Sequence, residues 1–262
     1  MSAVRRRAAP AAAKQPIDER QVEALVAELR DVGFAILPGL LPPAIQRGLR
    51  RRLYRLLAAE RERNLRPSGH QRVLHLAPKD PYFLLTVCHP LVLAVWRRYL
   101  GEDMLCSSLS ANALWPGSTE QYWHVDHPYW TIAPPYPVDL PLGGQAIWMI
   151  DDFTVENGAT AGIPGSHRRP RLPDLEGRWS DEAAIFTSPR GSVALMDGAL
   201  WHTSRPNATA ACRGAILVKY IRSFCVTQED MRAQLAALEN PPALVQQLFG
   251  TGQYVPTRSF PY

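Results

Sequence analysis

Beyond Gly101 the chain breaks into short apolar or alternating segments, MLCSSLSANALW, QYWHVDHPYW, QAIWMIDDF, ATAGIP, SVALMDG and RGAILVKYIR, separated by turns rich in Pro and Gly. Nothing else in the sequence constrains the fold as strongly. Runs this short, recurring at fairly regular intervals, are the pattern of antiparallel strands in a β sandwich or barrel. The flanking sequence is helical, so the expected class is mainly β with flanking α-helices packed on one β core. No internal repeat is visible.

The helical parts carry their own start and stop signals. In DERQVEALVAELRDVGF, Val22, Leu25, Val26 and Leu29 recur at spacings of three and four, acidic residues come early and Gly33 closes the run. A short strand, FAILPGLL, follows. Pro43 opens a second helix whose apolar stripe is Ile45, Leu49, Leu53, Leu56 and Leu57. Its other positions hold an Arg run, from Arg47 to Arg63, that reads as a solvated face partly balanced by Glu60 and Glu62. Residues 64–89 read as loop, and Pro90 to Leu100 as a helix capped by Gly101. Thr227 with Asp230 gives a capping-box signature before MRAQLAALEN. The expected organisation is a disordered basic tail over 1–16 and a single domain over 17–262. Within that domain, 17–101 is the helical part, 102–226 the β core, and 227–262 the C-terminal helix and tail.

Charge and apolar runs exclude several functions. The formal net charge is +5, but Arg5, Arg6, Arg7 and Lys14 all precede the first acidic residue, and without them 25 basic residues face 24 acidic ones. The positive charge is therefore tail, with no interleaved aromatic residue, and no nucleic-acid partner is expected. The most hydrophobic run, LLTVCHPLVLAVW, is broken by His89 and Pro90, so no membrane span is expected. The N-terminus lacks an apolar segment of the secretory type, which favours the cytoplasm. Cys88, Cys106, Cys212 and Cys225 form no CxxC pair and read as small buried hydrophobes rather than zinc ligands or disulfides.

The chemistry concentrates in QYWHVDHPYW. Side chains alternate along a strand, so His124 and Asp126 point to one side, roughly 7 Å apart along the backbone, and can converge on one ion. The third ligand candidate is His202 in MDGALWHTSRPN, just after the expected strand SVALMDG. Two His and one carboxylate leave positions open, which suits non-haem Fe(II); zinc, the alternative, more often takes three His or Cys ligands with one position for water. Arg213, eleven residues after His202, offers a fixed guanidinium suited to holding a carboxylate bidentately, and Ser204 a hydroxyl. Each also has an ordinary place, Arg213 facing water near a strand start and Ser204 in a turn.

Taken together, WHVD, the segment ENGATAGIPGSH, WHTSRPN, the placement of Arg213 and the opening DVGFAILPGLL resemble the phytanoyl-CoA dioxygenase family of iron(II)- and 2-oxoglutarate-dependent oxygenases, over roughly Asp18 to Arg222. The resemblance implies a double-stranded β-helix (jelly-roll, cupin-like) core with iron on His124, Asp126 and His202. It also implies 2-oxoglutarate as cosubstrate, its distal carboxylate on Arg213 with help from Ser204, and Trp148 and Asn112 lining the cosubstrate pocket, with dioxygen as the other co-substrate. Asn157, Gly158, Pro164 and Gly165 then shape loops between core strands. His167 is a turn residue rather than a ligand, and His127 belongs to a substrate loop or to packing. The implied reaction is oxidation of a small, hydrophobic metabolite of secondary metabolism, by default hydroxylation, with release of succinate and CO2. Related halogenases have a small residue where Asp126 stands, so halogenation is not expected, whereas desaturation, epoxidation and ring formation share the same centre.

The aromatic residues Trp115, Tyr122, Trp123, Tyr129, Trp130, Tyr136 and Trp201 crowd the motif region as core and, in part, as a wall for such a metabolite. Arg168, Arg169 and Arg171 read as a solvated loop, and His70, His75 and His89 have no evident partner. Two other readings stay open: a metal-dependent β-barrel enzyme that does not use 2-oxoglutarate, and a non-catalytic binding module working through its Arg-rich helix or tail.

Overall fold

The structure, a computed structural model, describes residues 17–175 and 178–250; the expected basic tail and the chain beyond 250 lie outside the described residues. Helix α1 spans Glu19–Asp31, capped by the Asp18 carboxylate, which accepts from the Arg20 amide, and it buries Val22, Leu25, Val26 and Leu29. It stops because the Val32 amide reaches back to the Glu28 carbonyl and Gly33 turns to φ +92°; a Cβ there would stand 2.5 Å from His167 Nδ1. Helix α2, Pro43–Ala59, starts on Pro43 and buries Leu49, Leu53 and Leu57, each worth about 1.5–3 kcal/mol of transfer free energy. Its Arg face is paired in part: Arg50 meets Asp151 at 2.7 Å, and Arg52 and Arg55 share Asp80 at 3.1 and 3.2 Å, while Arg47 and Arg51 are exposed.

Among the described residues nine strands follow the expected antiparallel design: β1 Phe34–Leu37, β2 His70–Val73, β3 Leu105–Leu114, β4 Gly143–Met149, β5 Thr160–Gly162, β6 Ala184–Ile185, β7 Val193–Asp197, β8 His202–Ser204 and β9 Arg213–Ile221. Six form one sheet in the order β1-β7-β4-β9-β3-β2, and three form a smaller one, β6-β5-β8. Residues directly opposite in an antiparallel pair share a face. Across the large sheet the register therefore makes one continuous row of Leu37, Val193, Trp148, Ile216, Ala111 and Val73. All six are buried in the same core cluster as α1, α2 and the helix Pro90–Leu100. The alternate residues turn the other way. Ile147, Met149, Ala194, Met196, Ala215 and Leu217 pack with Phe153, Phe186 and Leu200, the last two lying against Gly162 of the small sheet.

The differences from expectation have physical causes. Residues 64–89 hold strand β2 and short helical turns, because an edge strand of four residues whose inward positions are His70 and Arg72 carries no apolar alternation. QYWHVDHPYW is mostly irregular; it lies along β8 through one β-bridge, His124 to His202, and through Gln121, whose amide donates to the Ser204 carbonyl at 3.1 Å. At the C-terminal end Asp230 caps the helix Met231–Ala236 through the Ala233 amide, while the Thr227 hydroxyl donates to the Glu229 carbonyl. A second helix, Ala243–Leu248, follows. No single helix among the described residues is long and apolar enough to cross a membrane.

Candidate metal centre

The bridge at His124 brings the candidate ligands together. His124 and His202 exchange both backbone hydrogen bonds, at 3.0 Å each, so their side chains stand on one face with ring centroids 4.1 Å apart. Asp126 follows two residues later on the same side, its amide held by the Gly198 carbonyl at 2.7 Å. One donor atom from each of His124, Asp126 and His202 lies within 4.8 Å of the others, and His202 Nε2 is 3.8 Å from Asp126 Oδ2.

Both imidazoles are prepared as ligands. His124 Nδ1 faces the Tyr122 carbonyl at 3.0 Å and His202 Nδ1 the Leu200 carbonyl at 2.9 Å. A carbonyl only accepts, so each Nδ1 carries the hydrogen and each Nε2 presents its lone pair to the centre. Burial, helped by the neighbouring His202, pushes the His124 imidazole down to about 3, and burial also lowers His202, so both rings are neutral at physiological pH. Burial raises the Asp126 carboxyl, but Lys219, His202 and His124 outweigh it and hold it below the usual carboxylate range. Asp126 is thus ionised, and its Oδ2 is buried without a hydrogen-bond partner. Two neutral nitrogens and one unpartnered carboxylate oxygen fit a divalent transition metal with open positions.

Arg213 starts strand β9 and is only 2% exposed, so it does not face water. Its guanidinium lies 4.2 Å over the Phe153 ring, one Nη2 hydrogen goes to the Gly158 carbonyl, and Nε has no partner. No carboxylate among the described residues is within ion-pairing distance, and burial pulls its pKa down to about 10. Gly158 is shaped for this approach: at φ +82° it lets the chain pass where a Cβ would stand 2.6 Å from the Arg205 carbonyl. Asn157 fixes that loop by accepting from the Thr154 amide and donating to the Asp152 carbonyl. Ser204, two residues after His202 on the same face, is buried and donates to Gln121 Oε1 at 3.3 Å.

Asn112 is half-buried on β3, opposite Ala215 and Arg72, and so belongs to the face between the sheets. Trp148 does not. It sits in the helix-facing row with its ring 5.4 Å from His89, and its neighbours Ile147 and Met149 point between the sheets instead. Trp148 is thus one residue out of phase with the face between the sheets, and in a strand a one-residue offset reverses the face. His167 donates from Nε2 to the Arg30 carbonyl at 3.0 Å, and His127 likewise to the Val226 carbonyl at 2.7 Å, so both act in packing loops. Arg168, Arg169 and Arg171 pair with Asp31, Glu182 and Asp174.

Two inward residues escaped the sequence reading. Lys219, 4% exposed on β9, donates to Asp126 Oδ1 at 2.6 Å; a lysine inside the apolar run AILVKYI was the available signal. Arg72 on β2 is half-buried, has no ion pair among the described residues, and faces a cavity of about 440 Å³ lined also by Arg63, Arg66, His75 and Lys79. Of the aromatic residues, Trp123, Tyr129, Tyr136 and Trp201 are core, whereas Tyr122 is 76% exposed with its ring 5.8 Å from that of His124.

Comparison with known proteins places these features in context. The family model of phytanoyl-CoA dioxygenase (PhyH) matches residues 29–215. Dioxygenase af480 of Aspergillus fumigatus is 31% identical over 202 residues, which cover 74% of this chain and 64% of that relative. The uncharacterized protein Rv1501 of Mycobacterium tuberculosis is 30% identical over 236 residues, covering 85% of this chain and 84% of its own. Among solved structures, the epimerase SnoN in complex with Fe3+, alpha ketoglutarate and nogalamycin RO superposes with a TM-score of 0.68 at 19% identity, over 92% of this chain and 94% of that one. HygX from Streptomyces hygroscopicus, with nickel and 2-oxoglutarate bound, gives 0.65 at 17% identity over 81% and 90%. At such identities the structural likeness establishes the shared jelly-roll fold.

Proposed function

This chain belongs to the phytanoyl-CoA dioxygenase family, and from that premise we propose that it is an iron(II)- and 2-oxoglutarate-dependent dioxygenase that hydroxylates a small metabolite. His124, Asp126 and His202 would hold the iron, and Arg213 with Ser204 the distal carboxylate of 2-oxoglutarate. The observation that carries this reading is the buried Arg213 guanidinium with an unpartnered Nε. An ion deprived of water and of a counter-charge costs several kcal/mol, which a bound carboxylate removes. Ser204 lies two residues beyond His202 in β8, so its side chain projects from the same face of the strand as the candidate ligand.

When bound, the iron and 2-oxoglutarate supply the oxidising power, dioxygen being consumed and succinate and CO2 released. The chain's own work is placement. The Tyr122 and Leu200 carbonyls orient the two imidazoles, Lys219 holds Asp126, and Arg213 fixes the cosubstrate's far end. Exposed Tyr122, beside His124, offers an apolar face to a hydrophobic substrate at the mouth of the centre. SnoN, with the same fold, is an epimerase, so the outcome depends on where the substrate's C–H bond is presented.

The test is an anaerobic titration with Fe(II) and then 2-oxoglutarate, monitored by the visible charge-transfer band of the chelate, on wild type and Arg213→Ala. A band in wild type that demands much more 2-oxoglutarate in the variant is the expected result. Bound iron without a band would favour a metal enzyme of another kind, and no metal binding at all would favour a binding module.

A further inference from the structure

The two oxygens of the Asp126 carboxylate have different fates. Oδ1 receives the Lys219 ammonium at 2.6 Å, while Oδ2 stands 3.8 Å from His202 Nε2 and has no hydrogen-bond partner. Lys219 comes from the opposite sheet, at the centre of a row whose neighbours across β9 are Gln145 and Ser108. Gln145 Oε1 and Ser108 Oγ have no hydrogen-bond partner, and Asp126 is the one carboxylate within ion-pairing distance of the lysine among the described residues. Lysine is among the residue types least often buried fully, and a 4% exposed lysine spent on a single oxygen of a ligand candidate calls for a specific role.

We infer that Lys219 is a positioning residue that confines Asp126 to metal binding through Oδ2 alone and sets the charge of the centre against its two ligands. This rests on the proposed function and deepens it. A carboxylate left free can hold an ion through one oxygen or both. With one oxygen committed, the protein supplies three donors, and a six-coordinate ion keeps three positions for a chelating 2-oxo acid and dioxygen. With both committed, one of those three positions is lost. The charge argument runs the same way. Two neutral imidazoles, one carboxylate and one ammonium sum to zero, and Arg72, a second cation in electrostatic reach of both Asp126 and Lys219, stays in place whichever residue stands at 219; removing the ammonium therefore lowers the local charge by one, which binds a cation more tightly and a dianionic cosubstrate more weakly.

Opposite changes in the two affinities separate this role from simple support of the fold, which would weaken both. The full chain is titrated with Co(II), read by its visible absorption, and the Co(II) form is then titrated anaerobically with 2-oxoglutarate. Lys219→Met is expected to bind Co(II) about tenfold tighter than wild type and 2-oxoglutarate about tenfold weaker. Lys219→Arg, which keeps donor and charge, is expected to move both affinities back towards wild type. Co(II) binding that is unchanged or weaker in Lys219→Met, or unchanged 2-oxoglutarate affinity, would overturn the inference. Should Lys219→Met fail to fold, Lys219→Gln carries the test: it keeps a donor to Oδ1 without the charge, so tighter Co(II) binding supports the role and equal or weaker binding overturns it. A wild type that binds Co(II) but never responds to 2-oxoglutarate would overturn the proposed function, while the Co(II) comparison would still decide the role of Lys219.

Discussion

The two faces of the six-stranded sheet are built from the same strands, one residue out of phase, and they differ in what they leave unsatisfied. The helix-facing row from Leu37 through Trp148 and Ile216 to Val73 is apolar throughout. The other face mixes Ile147, Met149 and Leu217 with Gln145, Lys219, Ser108, Ser110, Asn112 and Arg213. On that face Gln145 Oε1, Ser108 Oγ, Ser110 Oγ and Arg213 Nε lack partners, and Asp126 Oδ2 lacks one across from them. Each unpaired buried polar group costs about 1–3 kcal/mol. On the helix face the unpartnered atoms are single ring nitrogens set in packed hydrocarbon, Trp148 Nε1, Trp96 Nε1 and His89 Nδ1, whereas the other face gathers side-chain oxygens, a guanidinium and a carboxylate around the candidate ligands.

The largest effect that would break this division is at the metal ligands. Asp126→Asn and His202→Ala are expected to abolish metal binding, measured as bound Fe(II) per chain after anaerobic loading, with the fold retained by circular dichroism. Full metal content in either would remove the triad. Next comes the helix face: Trp148→Ala should cost about 3–5 kcal/mol of stability by chemical denaturation, as large cavities in a packed core do. Below its melting transition the variant should bind 2-oxoglutarate as wild type does, and a selective loss of cosubstrate affinity would return Trp148 to the pocket. Arg213→Met reverses that pattern. It should weaken 2-oxoglutarate about 100-fold, since a buried charge-assisted pair is lost, while stability without ligand holds or rises because an uncompensated cation has been removed.

Trp148 also shows how much the sequence could tell. The order of strands and helices was legible because the apolar periods are strong, as with Val22 to Leu29 in α1 and Leu49 to Leu57 in α2. That His124, Asp126 and His202 converge could be expected from their motif spacing even though QYWHVDHPYW is not a regular strand; the bridge at His124 supplies the alignment. The face of Trp148 was not legible, because β4 is buried on both sides and all seven of its residues are equally sheltered, which erases the alternation that assigns a face. Strand β2 was hidden for the opposite reason. Its residues on the face between the sheets, His70 and Arg72, are polar, so the apolar alternation by which a strand is recognised is missing.

The smallest effect separates the faces by pH. His89 lies on the helix side against Trp148, its Nδ1 has no partner, and burial pushes its imidazole down from 6.5 to about 4. The unfolded chain takes up a proton below 6.5 that the folded chain refuses until about 4, so stability is full above that window and falls as pH drops through it, by about 1–3 kcal/mol for this group. His124, pushed to about 3, adds a loss of the same sign from the other face. His89→Phe keeps an aromatic ring against Trp148 and removes one titration only. Denaturation midpoints of wild type and variant between pH 7 and 4 should therefore diverge as the pH falls, the variant losing less. Parallel curves would mean that acid sensitivity resides wholly in the polar face, and that the helix face is as indifferent to protons as its apolar row suggests.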